Sequence, residues 1–176
     1  MEEIKIMLIG FDIDAMMTIA ETLNSIDDNL SIAKSFTNDP DANDVHKYYV
    51  NNQEIELICK NSAYLTLLKK DSYTYGISMD EFYNSSIFVL DIDEFNNISA
   101  SVLSNNNILV VWFDSKYSNK ENMSDKINSV KFLLDQLNYT NYVYMLDEDD
   151  EVVIKIINSY INGSDDKRQA ILNEYV

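Results

Sequence analysis

Ile4-Lys5-Ile6-Met7-Leu8-Ile9-Gly10, Phe11-Asp12-Ile13-Asp14-Ala15-Met16-Met17-Thr18 and Ile19-Ala20-Glu21-Thr22-Leu23 follow one another near the start of the chain. A hydrophobic run ending in Gly, a stretch of eight residues and an amphipathic run form the strand–loop–helix outline of a phosphate-binding loop. A working loop has the pattern G-x-x-x-x-G-K-[ST], in which backbone N–H groups cradle the phosphates, Lys adds charge and Ser/Thr holds Mg²⁺. Here the first Gly is Gly10, but Ala15 stands for the second Gly, Met16 for the Lys and Met17 for the Ser/Thr, with Thr18 next. The length is kept without the chemistry. Asp12 and Asp14 add two carboxylates at a helix N-terminus, where an anion would otherwise sit.

The chain of 176 residues suits one domain and is long enough to bury a core. No apolar stretch approaches the ~18 residues of a membrane span, and Met1-Glu2-Glu3 does not open a signal peptide. Cys59 has no second cysteine to pair with, which fits a reducing, cytoplasmic setting. His46 is also alone, which argues against a His-ligated metal or a Ser-His relay. The net charge of −17 disfavours nucleic acid, acidic membranes and phosphorylated substrates as direct ligands. It permits a basic protein partner. Arg168 is the sole arginine.

In chain order, a first helix is expected over about Ala15 to Ser25 and a second strand over Leu30–Phe36. Thr37–Asp44 is turn chemistry. Lys47–Val50 reads as a short strand and Gln53–Lys60 as a short helix with Ile55, Leu57 and Ile58 inward. Tyr64–Lys69 and Tyr73–Tyr75 form a hairpin over Lys70-Asp71-Ser72, and Met79–Tyr83 fits another short helix. Ile87–Asp93 is a buried strand that runs into carboxylates at its C-terminal end, where sites in open parallel sheets gather. A helix over about Glu94–Leu103, a strand over Ile108–Phe113, a mostly helical Lys116–Leu137 and a strand over Asn141–Leu146 follow. Asp147–Asp150 opens a helix through Ile161, Gly163 breaks it, and Asp165–Val176 forms a last one. Strands separated by helical stretches predict an α/β fold, a parallel sheet with helices on both faces.

From Thr37 onward the chain resembles a guanylate kinase. That family carries S-x-T-T-R-x-P-R-x-G-E, then a Tyr and Phe-Val, in its GMP-binding arm. This chain has Ser35, Thr37, Pro40 and Asp44, then Tyr48-Tyr49-Val50. The family's F-I-E-W strand and G-x-Y-Y-G-[TS] hairpin resemble Tyr64-Leu65-Thr66-Leu67 and Tyr73-Thr74-Tyr75-Gly76-Ile77-Ser78. Its L-D-I-D is matched by Leu90-Asp91-Ile92-Asp93, and its I-F-I-x-P-P-S by Ile108–Ser115. The likeness covers about residues 3 to 161. It implies a three-layer, P-loop nucleoside-monophosphate-kinase-like sheet with a small β arm (about 35–78) and a reduced lid (about 116–126). The domain then spans 1–163, with a helical tail over 164–176.

The departures from the family share one sense. Its two phosphate-clamping arginines align with Asn38 and Asp41, which lack the charged bidentate fork. The glutamate that would read the guanine falls at Thr66 and the first Tyr of Y-Y-G at Thr74, and the lid segment has lysines but no Arg. Removing one cationic clamp can cost roughly 10³–10⁵ in phosphoryl-transfer rate. The resemblance therefore implies a catalytically inactive, protein-binding domain, as in membrane-associated scaffold proteins whose guanylate kinase domains are binding modules. Its expected surface is the GMP-like cleft of Asn38, Asp41, Tyr48, Tyr73 and Tyr75. Asp91 and Asp93 could hold Mg²⁺ beside a nucleotide phosphate; without one, capping of neighbouring backbone is their expected role, and neither a metal nor a cofactor is expected. Two rivals stand beside this. One is an enzyme that handles a nucleotide through Lys34, Lys47, Lys69 and Lys70. The other is an acidic mimic of nucleic acid that blocks a basic protein, in a viral or mobile-element setting.

Overall fold

The computed structural model describes residues 4–42, 44–105, 107–114, 123–146 and 148–175. Strand β1 (Lys5–Gly10) is buried along its whole length. Its alternate side chains serve two cores. Ile6 and Leu8 join the cluster built with α1 (Ile13–Ile26), α7 (Asp150–Ile161) and α8 (Asp165–Glu174). Met7 and Ile9 join a second cluster with α3 (Met79–Asn84), α4 (Ile92–Asn96), α5 (Ala100–Asn105) and α6 (Met123–Gln136). A strand apolar on both faces can only sit between two helical layers, which is why these runs do not alternate with polar residues.

The core sheet has the order β6 (Ile87–Asp91), β1, β7 (Ile108–Asp114), β8 (Tyr142–Leu146), and every pairing in it is parallel. The architecture is thus α/β, a parallel sheet with helices on both faces, as the strand–helix alternation predicts. The C-terminal segment covers the β8 edge: the Tyr144 amide donates to the Tyr175 carbonyl at 2.7 Å, while Ile171 and Leu172 enter the first core. Among the described residues no helix is long and apolar enough to cross a membrane.

A second sheet forms the arm, ordered β3 (Lys47–Tyr49), β2 (Ser35–Thr37), β5 (Tyr73–Ser78), β4 (Tyr64–Lys70). The expected strand over Leu30–Phe36 is in fact divided between the sheets. Ser31–Ala33 lies beside β6, with the Ala33 amide on the Ile87 carbonyl at 2.8 Å. After Lys34 the chain crosses into the arm, where β2 pairs with β3 and β5. Helix α2 (Asn52–Lys60) closes a small arm core of Phe36, Val50 and Ile55. Ile58 packs against it, but Leu57 is 58% exposed, because a residue two positions from Ile55 falls on the opposite face of a helix.

Two further expectations are corrected. The helix placed over Glu94–Leu103 is two short ones, interrupted where Asn97 caps α4 and Ile98 turns into the core. The strand placed over Ile87–Asp93 stops at Asp91, because that side chain accepts from the Glu94 amide at 2.7 Å and starts α4. Of the lid expected at about 116–126, residues 116–122 lie outside the described residues, and the rest open α6.

Candidate functional site

Parallel strands end together, so the topology brings Gly10 of β1 and Asp91 of β6 side by side at one edge of the sheet. The arm stands over that edge, and between them lies a cleft of about 340 Å³. Its walls come from Ile13 and Met17 of α1, Val89 and Asp91 of β6, Glu94 of α4, Ala33 and Ser35 at the crossing, and the arm residues Asp44, His46, Lys47, Leu68, Lys70, Asp71 and Tyr75.

The turn from β1 into α1 contains only Phe11 and Asp12. The helix begins at Ile13, earlier than the Ala15 expected from sequence, because the Asp12 carboxylate accepts from the Ala15 amide at 3.0 Å. The Met16 amide donates to the Asp12 carbonyl at 3.1 Å, so the helical ladder begins at this amide. Met16 is 1% exposed and belongs to the core under α1. A Cβ on Gly10 would lie 3.2 Å from Phe113 and 3.3 Å from the Met16 sulfur, so β1, β7 and α1 pack tightly around this glycine. Asp12, Asp14 and Thr18 are exposed, the Thr18 hydroxyl donating to the Asp14 carbonyl at 3.0 Å. Met17 alone of the three residues Met16–Thr18 lines the cleft.

The arm residues divide sharply. Asn38 is a fastener: its Oδ1 accepts from the Thr74 amide at 2.7 Å and its Nδ2 donates to Asn52 Oδ1 at 2.6 Å. Asp41 is exposed, its amide donating to Asp39 Oδ1. Tyr48 packs on Phe36 inside the arm core, with ring centroids 6.4 Å apart, and faces away from the cleft. Thr66 is fully buried, its hydroxyl accepting from the Ile77 amide. Tyr73 does not line the cleft either. Tyr75 does, and donates to Asp39 Oδ2 at 3.1 Å; burial first, then this carboxylate, raises its hydroxyl pKa. The cleft therefore gathers Tyr75 and Asp91 from the expected set, while Asn38, Asp41, Tyr48, Tyr73 and Asp93 stand elsewhere. Of the four lysines considered, Lys47 and Lys70 reach it; Lys34 and Lys69 do not.

Two residues outside the expected site set, Glu94 and His46, also line the cleft. Glu94 and Asp91 form a reciprocal capping box, each backbone amide donating to the other's side chain, at 3.1 and 2.7 Å. Burial, and then the neighbouring Asp91 charge, push the Glu94 carboxyl up to about 7, against the pull of Lys47. The signal was present as Asp91-Ile92-Asp93-Glu94, a capping-box spacing that follows an apolar run. His46 joins the arm to α1 through Glu21 Oε1 at 2.9 Å, a contact between residues far apart in sequence that no local pattern announces. At the rim Lys47 pairs with Asp44 at 3.1 Å; the Asp44 carboxyl is lowered chiefly by the His46 backbone amide.

No protein-family model and no curated protein matches this sequence. Among solved structures, the guanylate kinase from Anaplasma phagocytophilum is similar, with 14% identity, a TM-score of 0.56 and coverage of 91% of this chain and 85% of that one. At that identity the likeness is one of fold. The chain has a guanylate-kinase-like α/β fold.

Proposed function

We propose that the chain is a catalytically inactive guanylate-kinase-like module that works by binding another protein at the cleft between arm and sheet edge. One observation carries the reading: α1 starts two residues after β1, with the Asp12 carboxylate on the Ala15 amide and Met16 buried in the core. A phosphate needs free amides and a cation at that point. Here the Ala15 and Met16 amides are engaged by Asp12, and an apolar side chain stands where the lysine would be. Phosphoryl transfer is positioning and charge neutralisation, so a site without these parts has little to offer the reaction. Asn38, aligned with a clamping arginine, is spent on holding β2 to β5 and α2.

Titration calorimetry with GMP, and separately with ATP–Mg²⁺, at low salt and millimolar ligand is the test. No heat from either supports the reading, and saturable binding of either overturns it. A second reading has one observation in its favour: Lys47 and Lys70 both border the cleft. An enzyme that handles a nucleotide through them would bind in that titration and lose affinity on Lys70→Ala. Against it, Lys47 is already paired with Asp44, and four carboxylates line the same walls.

A further inference from the structure

The lining of the cleft names a class of occupant. Asp44, Asp71, Asp91 and Glu94 face Lys47 and Lys70, four acids against two bases, so the walls are acidic even when Glu94 holds its proton, within a chain of formal charge −17. Lys47 is matched by Asp44 at the rim. On the floor, Asp91 uses Oδ1 for the Glu94 amide and Glu94 uses Oε2 for the Asp91 amide. Asp91 Oδ2 and Glu94 Oε1 have no hydrogen-bond partner among the described residues. Ile13, Met17, Leu68 and Val89 supply apolar wall, and Tyr75 a ring. Two carboxylates joined by one capping box in the lining of a partly apolar slot suit a flat, delocalised cation on an aliphatic stem, which is an arginine side chain. A volume of about 340 Å³ sits at the low end of ligand sites, room for a side chain and its flanking backbone. Among the described residues no group of three His, Cys, Asp or Glu is placed to hold a metal ion. The chain's own arginine is committed elsewhere: Arg168 donates to the carbonyls of Tyr160 and Ile161 at 2.9 and 3.0 Å.

We propose that the cleft takes an arginine side chain from a peptide segment of a partner protein, the guanidinium bridging Asp91 and Glu94 and the stem lying along Met17 and Val89. This rests on the protein-binding reading above and adds the chemistry of the partner. Glu94 is held near 7 by burial and by Asp91, so a docking cation favours its ionised form; affinity rises from pH 6 to pH 8 and a proton is released. The groups around it are Asp91 in its own box, Lys47, Asp44 and His46 from the arm loop, Lys70 and Asp71 from the β4–β5 turn, and Tyr75 from β5. Imidazoles titrate in the same window, so His46→Ala is measured alongside.

The test is calorimetry on the full chain with three six-residue Gly/Ser peptides: one with two arginines, one with citrulline in their place, and one with two phosphoserines. GMP is the fourth ligand. The arginine peptide is expected to saturate, with the citrulline peptide weaker by about tenfold or more and the phosphoserine peptide silent. Glu94→Gln and Asp91→Asn, which keep acceptors for both capping amides, each reduce affinity about tenfold, and Glu94→Gln flattens the rise from pH 6 to pH 8 while His46→Ala keeps it. Glu56→Gln makes the same change of charge on the exposed face of α2 and leaves affinity within about twofold. Methyl NMR on the wild-type chain gives a second readout that needs no variant: Met17 and Val89 shift on binding and Leu172 does not. Equal binding of the citrulline peptide, silence of the arginine peptide, equal damage from Glu56→Gln, or shifts away from Met17 and Val89 overturns the proposal. Binding of GMP would sink the protein-binding reading itself, whereas GMP and arginine peptide both silent sinks only the arginine.

Discussion

Met16→Ala separates a core residue from a loop residue at the position where a phosphate-binding loop carries its lysine. Met16 is 1% exposed and packs with Leu8, Ile19, Ala20 and Val111 in the cluster under α1, its sulfur close to Gly10. Fully burying a Met side chain is worth about 1.5–3 kcal/mol relative to leaving it exposed, and truncation adds a cavity term, so the total falls in the range of about 2–4 kcal/mol. Alanine has the better helix propensity, so the backbone contributes nothing to the loss. For a chain of this size each kcal/mol moves Tm by about 2–4 °C, which gives a drop of roughly 5–15 °C. Urea unfolding followed by circular dichroism reads this as a lower midpoint with unchanged slope. Met17→Ala, on the half-buried neighbour that faces the cleft, is the internal control and costs under about 1 kcal/mol. If Met16→Ala changed stability by no more than Met17→Ala, Met16 would not be a core residue, and the account of α1 starting at Ile13 would fall with it.

Asp12→Ala removes the carboxylate from the Ala15 amide and costs about 0.5–2 kcal/mol in a thermal melt, while Asp12→Asn keeps most of the cap. Gly76→Ala places a Cβ 2.3 Å from the Thr66 carbonyl oxygen and 2.7 Å from the Phe36 ring; the arm must shift, with a loss of about 1–3 kcal/mol in urea unfolding. Glu94 gives a pH signature. Its folded pKa, about 7, lies above the ordinary 4.5, so between those values the folded state holds the extra proton and its contribution to stability falls as pH rises. Glu94→Gln should therefore be relatively more stable, compared with wild type, at pH 8 than at pH 5; a gap between the two proteins that is the same at both values would refute the burial of that carboxyl.

The strands of the core were legible because burial on both faces leaves an unbroken apolar run, as in Ile6–Ile9, Ile87–Leu90 and Ile108–Trp112. What the sequence hid was decided by contacts rather than composition. Leu30–Phe36 is one apolar-rich stretch, and nothing local says that Ile32 pairs with Ile87 while Phe36 pairs with Gly76 across a different sheet. The start of α1 was misplaced because Asp12 looked like a charge obstructing a loop, when its side chain serves as the cap that removes the loop. The candidate site fared worse. Tyr48 and Tyr73 share with Tyr75 the chemistry of a binding surface, but Tyr48 is taken by the arm's own core, and Tyr73, on the same face of β5 as Tyr75, sits two residues nearer the β4–β5 turn and outside the cleft lining. Glu94 was missed for the opposite reason: a capping-box acid reads as structural, and its position on the cleft floor follows only from where the arm stands.

The cleft itself is a product of topology. A chain that leaves the core sheet at Lys34, builds an arm and returns at β6 must leave a gap between that arm and the C-terminal ends of the parallel strands, whatever side chains line it. The residues that make the gap are buried and constrained by packing: Phe36 against Gly76, Leu65 and Ile77 against Phe82 and Phe88. The residues that choose an occupant come from four different elements: Asp91 and Lys70 end β6 and β4, Glu94 lies in the first turn of α4 and Tyr75 within β5. Fold and ligand are therefore fixed by two nearly separate sets of positions. A likeness of fold at 14% identity speaks for the first set and is silent on the second. Two acids on the floor and no arginine anywhere near them are what this second set says, and charge of that sign selects a cation.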